Sequence, residues 1–174
     1  EVVGLMDLLY ITLKNELNTF KKNGLRVTYI GDISFFPGKV VDIIMQTVDE
    51  TRDNTVLNLN LALGYSSRQE IINAVKNISK KVISNQIKLE DIDADMFSSE
   101  LDLNIDVGDP DLLIRTGGES RVSDFLLWQI AYSEIFFSNK YWPDFDKDEY
   151  MKAILSFRNT ERRFGKISEQ INKK

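Results

Sequence analysis

The sequence predicts an α/β domain, with a mostly parallel central sheet flanked by helices. Three observations carry this. Short β-branched runs alternate with segments of helical period along the whole chain. One such run, at 111–116, is almost continuously apolar, as in strands covered on both faces. No repeat, low-complexity tract or linker interrupts the alternation, so residues 1–174 read as a single domain.

The elements follow in order. Over residues 1–22, Val2, Leu5, Met6, Leu9, Leu13, Leu17 and Phe20 recur at steps of three and four, one stripe along a helix. Val3, Leu8 and Tyr10 broaden that stripe, so the first half is buried on more than one side or lines an apolar cavity. Asn23-Gly24 stops the helix. LRVTYI at 25–30 alternates as a strand does, and a second helix over 39–52 follows the Pro37-Gly38 break. TVLNLNLAL at 55–63 is the next strand. Ser67 with Glu70 three residues later forms a capping box and opens a helix to Val82. The stretch 90–111 reads as a solvated loop with a short helix after Leu89. The strand DLLIRT at 111–116 ends on Gly117-Gly118. Ser123 then caps a helix through Phe125, Leu126, Trp128, Gln129 and Tyr132, and Glu134 opens a short strand to Phe137. Trp142-Pro143-Asp144 is a turn. Asp146 with Glu149 resembles a second capping box, for a helix ending near Gly165, and the polar tail 166–174 frays.

Composition narrows the chemistry. The chain has 22 Lys and Arg against 27 Asp and Glu, a net charge of −5, and neither Cys nor His. That excludes a disulfide framework, a zinc finger, a Cys nucleophile, a Ser–His–Asp triad and imidazole metal ligands. Acidity argues against a nucleic-acid binder. Nine acids and no base lie between Glu90 and Asp111, however, leaving the remainder at +4, so an anion can still meet a positive site. No apolar run reaches the ~18–20 residues that span a bilayer, and a Cys-free chain suits a reducing compartment.

The strongest candidate site is 112–123. A strand delivers Arg115 to its carboxyl end, where ligands of such sheets bind. Two glycines permit a tight turn. Arg121 and the Ser123 hydroxyl follow at an expected helix N-terminus, which favours anions. Two forked guanidinium groups, a hydroxyl and that terminus suit a diphosphate. The alternative is a turn with salt-bridged surface arginines. Glu134 could hold a hard divalent cation or be a surface acid. Arg158, Arg162 and Arg163 lie at helical spacing near the end, as bases in a last turn do.

These residues together resemble a known family. DLLIRTGGE at 111–119, then Arg121 and Ser123, FLLWQ at 125–129, AYSE at 131–134, WPDF at 142–145 and RRFG at 162–165 resemble the C-terminal signature of cis-prenyltransferases. The double glycine and Trp128-Gln129 are similar to the bacterial undecaprenyl diphosphate synthase branch. Gly31-Asp32 with Pro37, and Asn58-Leu59-Asn60 leading to Tyr65 and Arg68, agree with it. The resemblance implies an apolar tunnel between sheet and helices. It also implies repeated cis-condensation of isopentenyl diphosphate onto an allylic diphosphate such as farnesyl diphosphate, giving a long polyprenyl diphosphate. It further implies Mg²⁺, a homodimer, and a cytoplasmic enzyme working against the membrane face.

By that resemblance Arg115, Arg121 and Ser123 hold the diphosphate of isopentenyl diphosphate, and Glu134 is a Mg²⁺ ligand near the dimer interface. Arg163 and Gly165 reach the partner's diphosphate site, and Leu5, Met6, Leu9 and Leu13 line the tunnel. Family members carry two elements ahead of the segment matching Glu1-Val2: Met-Asp-Gly-Asn-x-Arg-Trp, whose Asp is the principal catalytic residue, and Ser-x-Glu-Asn-Trp-x-Arg-Pro. Neither is in these 174 residues, so the domain is expected to be N-terminally incomplete and inactive alone. Ser120 stands where many bacterial members have His, Asp124 replaces a usual Asn, and Gly64 and Ser66-Ser67 replace Asn and Gly-Gly around Tyr65. A non-catalytic partner subunit of a heteromeric enzyme is the alternative, against which the intact Arg115, Arg121 and Ser123 set argues.

Overall fold

A computed structural model describes residues 2–103 and 107–161. The chain forms two compact units, Glu1–Leu103 and Asn104–Lys174. The expected frayed tail at 166–174 lies outside the described residues. Among the described residues no helix is long and apolar enough to cross a membrane.

The first unit is built on a βαβ crossover. Helix α1 (Val2–Lys22) ends at Gly24, whose φ of +69° suits glycine. Strand β1 (Leu25–Ile30) then pairs in parallel with β2 (Leu57–Ala62), Leu25 opposite Leu57 and Ile30 opposite Ala62. Helix α2 (Gly38–Thr51) connects them and packs on α1 and β1. Leu13, Ile33, Val40, Ile43 and Ile44 form the core, with Met6, Leu9, Tyr10 and Phe20 packed against it. Helix α3 (Ser67–Ile83), a 3-10 turn at Leu89–Asp91 and helix α4 (Ala94–Ser99) follow, so part of the acidic stretch is ordered; the Asp93 carboxylate caps α4 by accepting from the amide of Met96 at 2.8 Å. The α3 cap sits one residue earlier than the sequence predicts: Ser66 accepts from the amide of Gln69 at 3.3 Å, which releases Glu70 from the box.

Two buried threonines lie on the inner face of α2, and one of them, Thr51, ties it to the sheet. Thr47 and Thr51 return their hydroxyl protons to the carbonyls of Ile43 and Thr47, and Thr51 Oγ1 also accepts from the amide of Val27 at 3.0 Å. Thr51→Val keeps the shape but orphans a buried strand amide. It is expected to destabilise the fold by about 1–3 kcal/mol in urea unfolding, and a change near zero would remove this bond from the account.

The second unit also holds a parallel pair, β3 (Leu112–Arg115) with β4 (Glu134–Phe137), and helix α5 (Lys147–Asn159) packs on β4. All four residues of β3 are half-buried, less covered than an apolar strand of this kind predicts. The expected helix after Ser123 does not form. Residues 123–132 make turns and bends, with φ of +50° at Ser123, +61° at Asp124 and +47° at Leu126. A right-handed helix cannot pass through left-handed residues. The apolar spacing of this segment still buries Leu126, Gln129 and Ile130, without a helix to do so.

Candidate functional site

Strand β3 does deliver Arg115 to its carboxyl end. The turn beyond it uses two glycines at φ +92° and +75°, a region other residues rarely enter. A Cβ on Gly117 would meet open space, so backbone conformation rather than crowding requires glycine there. The amides of this turn are engaged within the protein. Gly117 donates to the Lys140 carbonyl at 2.8 Å and Gly118 to the Ser138 carbonyl at 2.9 Å. With no helix at Ser123, helix-terminal amides are absent too. The helix-terminal amides that the sequence suggests for an anion are therefore not formed here, which leaves the side chains of Arg115, Arg121 and Ser123 as the candidate contacts.

Arg115 carries the electrostatics. It lines a cavity of about 250 Å³ together with Leu113, Ile114, Thr116, Val122 and Phe125. Its Nε is buried and has no hydrogen-bond partner among the described residues. A buried charged donor without an acceptor is costly, by about 1–3 kcal/mol or more, and calls for one. Arg121, 64% exposed, is ion-paired with Glu119. Such exposed pairs are worth little and exchange readily. Ser123 is exposed on the same turn.

Glu134 is not brought to this group. In the ladder it stands opposite Leu112, whereas Arg115 stands opposite Phe137. Three strand residues separate the two ends, roughly 10 Å at 3.3 Å per residue. Among the described residues no three acids gather as a metal site. Glu134 alone fits a cation that keeps waters and phosphate oxygens as its other ligands, as Mg²⁺ does. Arg163 and Gly165 lie outside the described residues. Of the residues assigned to a tunnel wall, Leu13 is in the core, Met6 and Leu9 are half-buried against it, and Leu5 is 57% exposed.

Sequence reasoning missed a second polar cavity, of about 210 Å³, beyond the carboxyl ends of β1 and β2. Its anchor is Glu70, 2% exposed, which accepts from the Tyr65 hydroxyl and from the amide of Asp102 at 2.8 Å. Burial, and then the Glu70 charge, push the Asp102 carboxyl above its usual range. Hydrogen bonds from Ser34 hold Asp32, on the rim, below it. The apparent capping box hid Glu70, because the same Ser-x-x-Glu spacing serves a cap or a buried tether.

The chain belongs to a prenyltransferase family, the one described as putative undecaprenyl diphosphate synthase, which matches residues 1–165. Among its relatives, an isoprenyl transferase of Porphyromonas gingivalis is 44% identical over 98% of this chain and 67% of its own length. The (2E,6E)-farnesyl-diphosphate-specific ditrans,polycis-undecaprenyl-diphosphate synthase of Wigglesworthia glossinidia brevipalpis is 46% identical over 99% of this chain and 66% of its own. The crystal structure of lavandulyl diphosphate synthase from Lavandula x intermedia, in complex with dimethylallyl diphosphate, superposes with a TM-score of 0.90 at 31% identity, covering 95% of this chain and 72% of that one. The chain spans 55–67% of the length of the first curated relatives it matches.

Proposed function

We propose that the protein condenses isopentenyl diphosphate in cis onto an allylic diphosphate of the farnesyl type, extending it to a long polyprenyl diphosphate such as undecaprenyl diphosphate. The observation that carries this is Arg115, which lines a cavity beside the Gly117-Gly118 turn and whose buried Nε has no hydrogen-bond partner among the described residues. Arg115, Arg121 and Ser123 hold the homoallylic diphosphate, with Arg121 exchanging Glu119 for it. In each cycle the C1–O bond of the allylic substrate breaks and inorganic diphosphate leaves with the electron pair. A carbon–carbon bond forms to the isopentenyl unit, which loses one proton. Negative charge develops on the leaving allylic diphosphate, which the Arg115, Arg121 and Ser123 cradle does not hold and which needs a neutralisation of its own. Mg²⁺ held through Glu134 would supply that neutralisation. The separation of Glu134 from Arg115 within one chain favours a homodimer, in which the two ends serve different sites. Arg163 and Gly165 are assigned to the partner's diphosphate site, and Leu5, Met6, Leu9 and Leu13 to the tunnel wall. Product release brings the cytoplasmic enzyme to a membrane face.

The test uses the full-length protein with labelled isopentenyl diphosphate, farnesyl diphosphate and Mg²⁺. Polyprenyl products are expected, and are expected to vanish with EDTA. A protein inactive alone that restores the activity of a second chain would be the non-catalytic partner subunit instead. Glu134→Gln is expected to raise the Mg²⁺ concentration for half-maximal rate by about tenfold or more; an unchanged metal titration would take Glu134 out of the site.

A further inference from the structure

The Arg115 turn does not stand by itself. Three backbone hydrogen bonds hang it on the segment just past β4. Besides the two glycine amides bonded to the Ser138 and Lys140 carbonyls, the amide of Ser138 donates to the Arg115 carbonyl at 2.8 Å. Wherever residues 138–140 go, the turn follows.

That segment is fixed from below by side chains. The Ser138 hydroxyl, 1% exposed, donates to Glu149 Oε1 at 2.8 Å and accepts from the amide of Lys140 at 3.2 Å. Glu149, 8% exposed, lies in the first turn of α5, and its Oε2 accepts from Lys152 at 2.8 Å. The Lys140 ammonium meanwhile bonds Asp146 at 2.9 Å, the residue that caps α5. Lys152, and then Ser138, hold the Glu149 carboxyl below its usual range, so the acceptor stays ionised at neutral pH. A hydroxyl bonded to an ionised acceptor is held more tightly than one bonded to a neutral group.

We propose that Ser138 and Glu149 are positioning residues for the diphosphate cradle: a buried hydroxyl–carboxylate pin that sets the 115–118 turn, and with it the Arg115 guanidinium, against α5. The proposal rests on reading that turn as the diphosphate site. Neither residue touches the ligand. Because the cradle holds the diphosphate that does not leave, loss of a supporting hydrogen bond is expected in the affinity for isopentenyl diphosphate.

The test is steady-state kinetics of the full-length protein with each substrate varied. Ser138→Ala is expected to raise KM for isopentenyl diphosphate by roughly tenfold, the range for supporting hydrogen bonds, with the allylic KM unchanged. Glu149→Gln keeps an oxygen for the Ser138 hydroxyl but loses the charge, and is expected to raise that KM clearly less than Glu149→Leu. Glu149→Leu removes that oxygen and should match Ser138→Ala. If Ser138→Ala fails to fold, the two Glu149 variants decide. A fall in kcat with both KM values unchanged, or Glu149→Gln behaving as Glu149→Leu, overturns the pin. Arg121→Ala separates the two readings. If it raises the isopentenyl diphosphate KM while Ser138→Ala does not, the pin alone falls; if neither does, the cradle is wrong and the pin falls with it.

Discussion

Gly31→Ala is expected to cost the fold about 3 kcal/mol or more, placing it among the most damaging single substitutions in the chain. Gly31 sits at the carboxyl end of β1 with a φ of +97°. An L residue there carries about 1–2 kcal/mol of strain before any contact is counted. The contacts are worse. A Cβ would lie 2.4 Å from the Leu63 carbonyl oxygen and 2.9 Å from Tyr65 Cα. Both are backbone atoms, so no rotamer change relieves them. Moving them strains the bonds that join the two loops, from the amide of Leu63 to the Ile30 carbonyl at 2.9 Å and from that of Asp32 to Gly64 at 3.4 Å. Gly64 repeats the arrangement from the other side: its Cβ would lie 2.3 Å from the Asp32 carbonyl oxygen. The loops leaving β1 and β2 thus touch backbone to backbone. Gly108→Ala is the control, since Gly108 has a φ of +71° and a Cβ there would meet nothing among the described residues. It should show the strain alone. Urea unfolding of the two variants measures the difference, and equal losses would remove the close-approach argument.

How much of this was legible in the sequence depends on the kind of information involved. Periodicity and turn residues are local, and they mark β1 and β4 with the same bounds, α1, α2 and α3 within a residue, and the start of α5, whose expected end near Gly165 comes instead at Asn159. They also marked Arg115 and the two glycines, because a strand ending in Gly-Gly is a local pattern. The segment 123–132 has helical spacing as well, yet Ser123, Asp124 and Leu126 take left-handed backbone and tertiary context overrides the pattern. Asp tolerates that region better than most residues, and a cap signal at Ser123 alone does not reveal it. Register is not local at all. Nothing in the spacing of Arg115 and Glu134 says that the parallel ladder holds them at opposite ends. Nor can composition show that Glu70 and Glu149 are buried tethers, since an acid at N3 of a helix looks like a capping partner until its carboxylate is followed.

The cradle itself makes the sharpest kinetic prediction. Arg121→Ala in the full-length protein is expected to raise KM for isopentenyl diphosphate by about 10- to 100-fold, the loss of one charge-assisted contact to phosphate. The allylic KM should change little. Arg115→Ala should be at least as damaging. Arg115 is half-buried, and its Nε has no hydrogen-bond partner among the described residues, whereas Arg121 has Glu119 to return to. Arg115→Lys should not rescue it. A lysine offers a point charge and no forked donors, and it has no group in place of the buried Nε. Glu119→Gln gives the opposite sign. It removes the competitor for Arg121 and should lower that KM modestly, an effect that shrinks as salt screens the exposed pair. If Arg115→Ala and Arg121→Ala raised both KM values alike, the two arginines would serve general electrostatic attraction rather than one diphosphate. If Glu119→Gln also left the isopentenyl diphosphate KM unmoved, the exchange of Glu119 for substrate would be wrong as well.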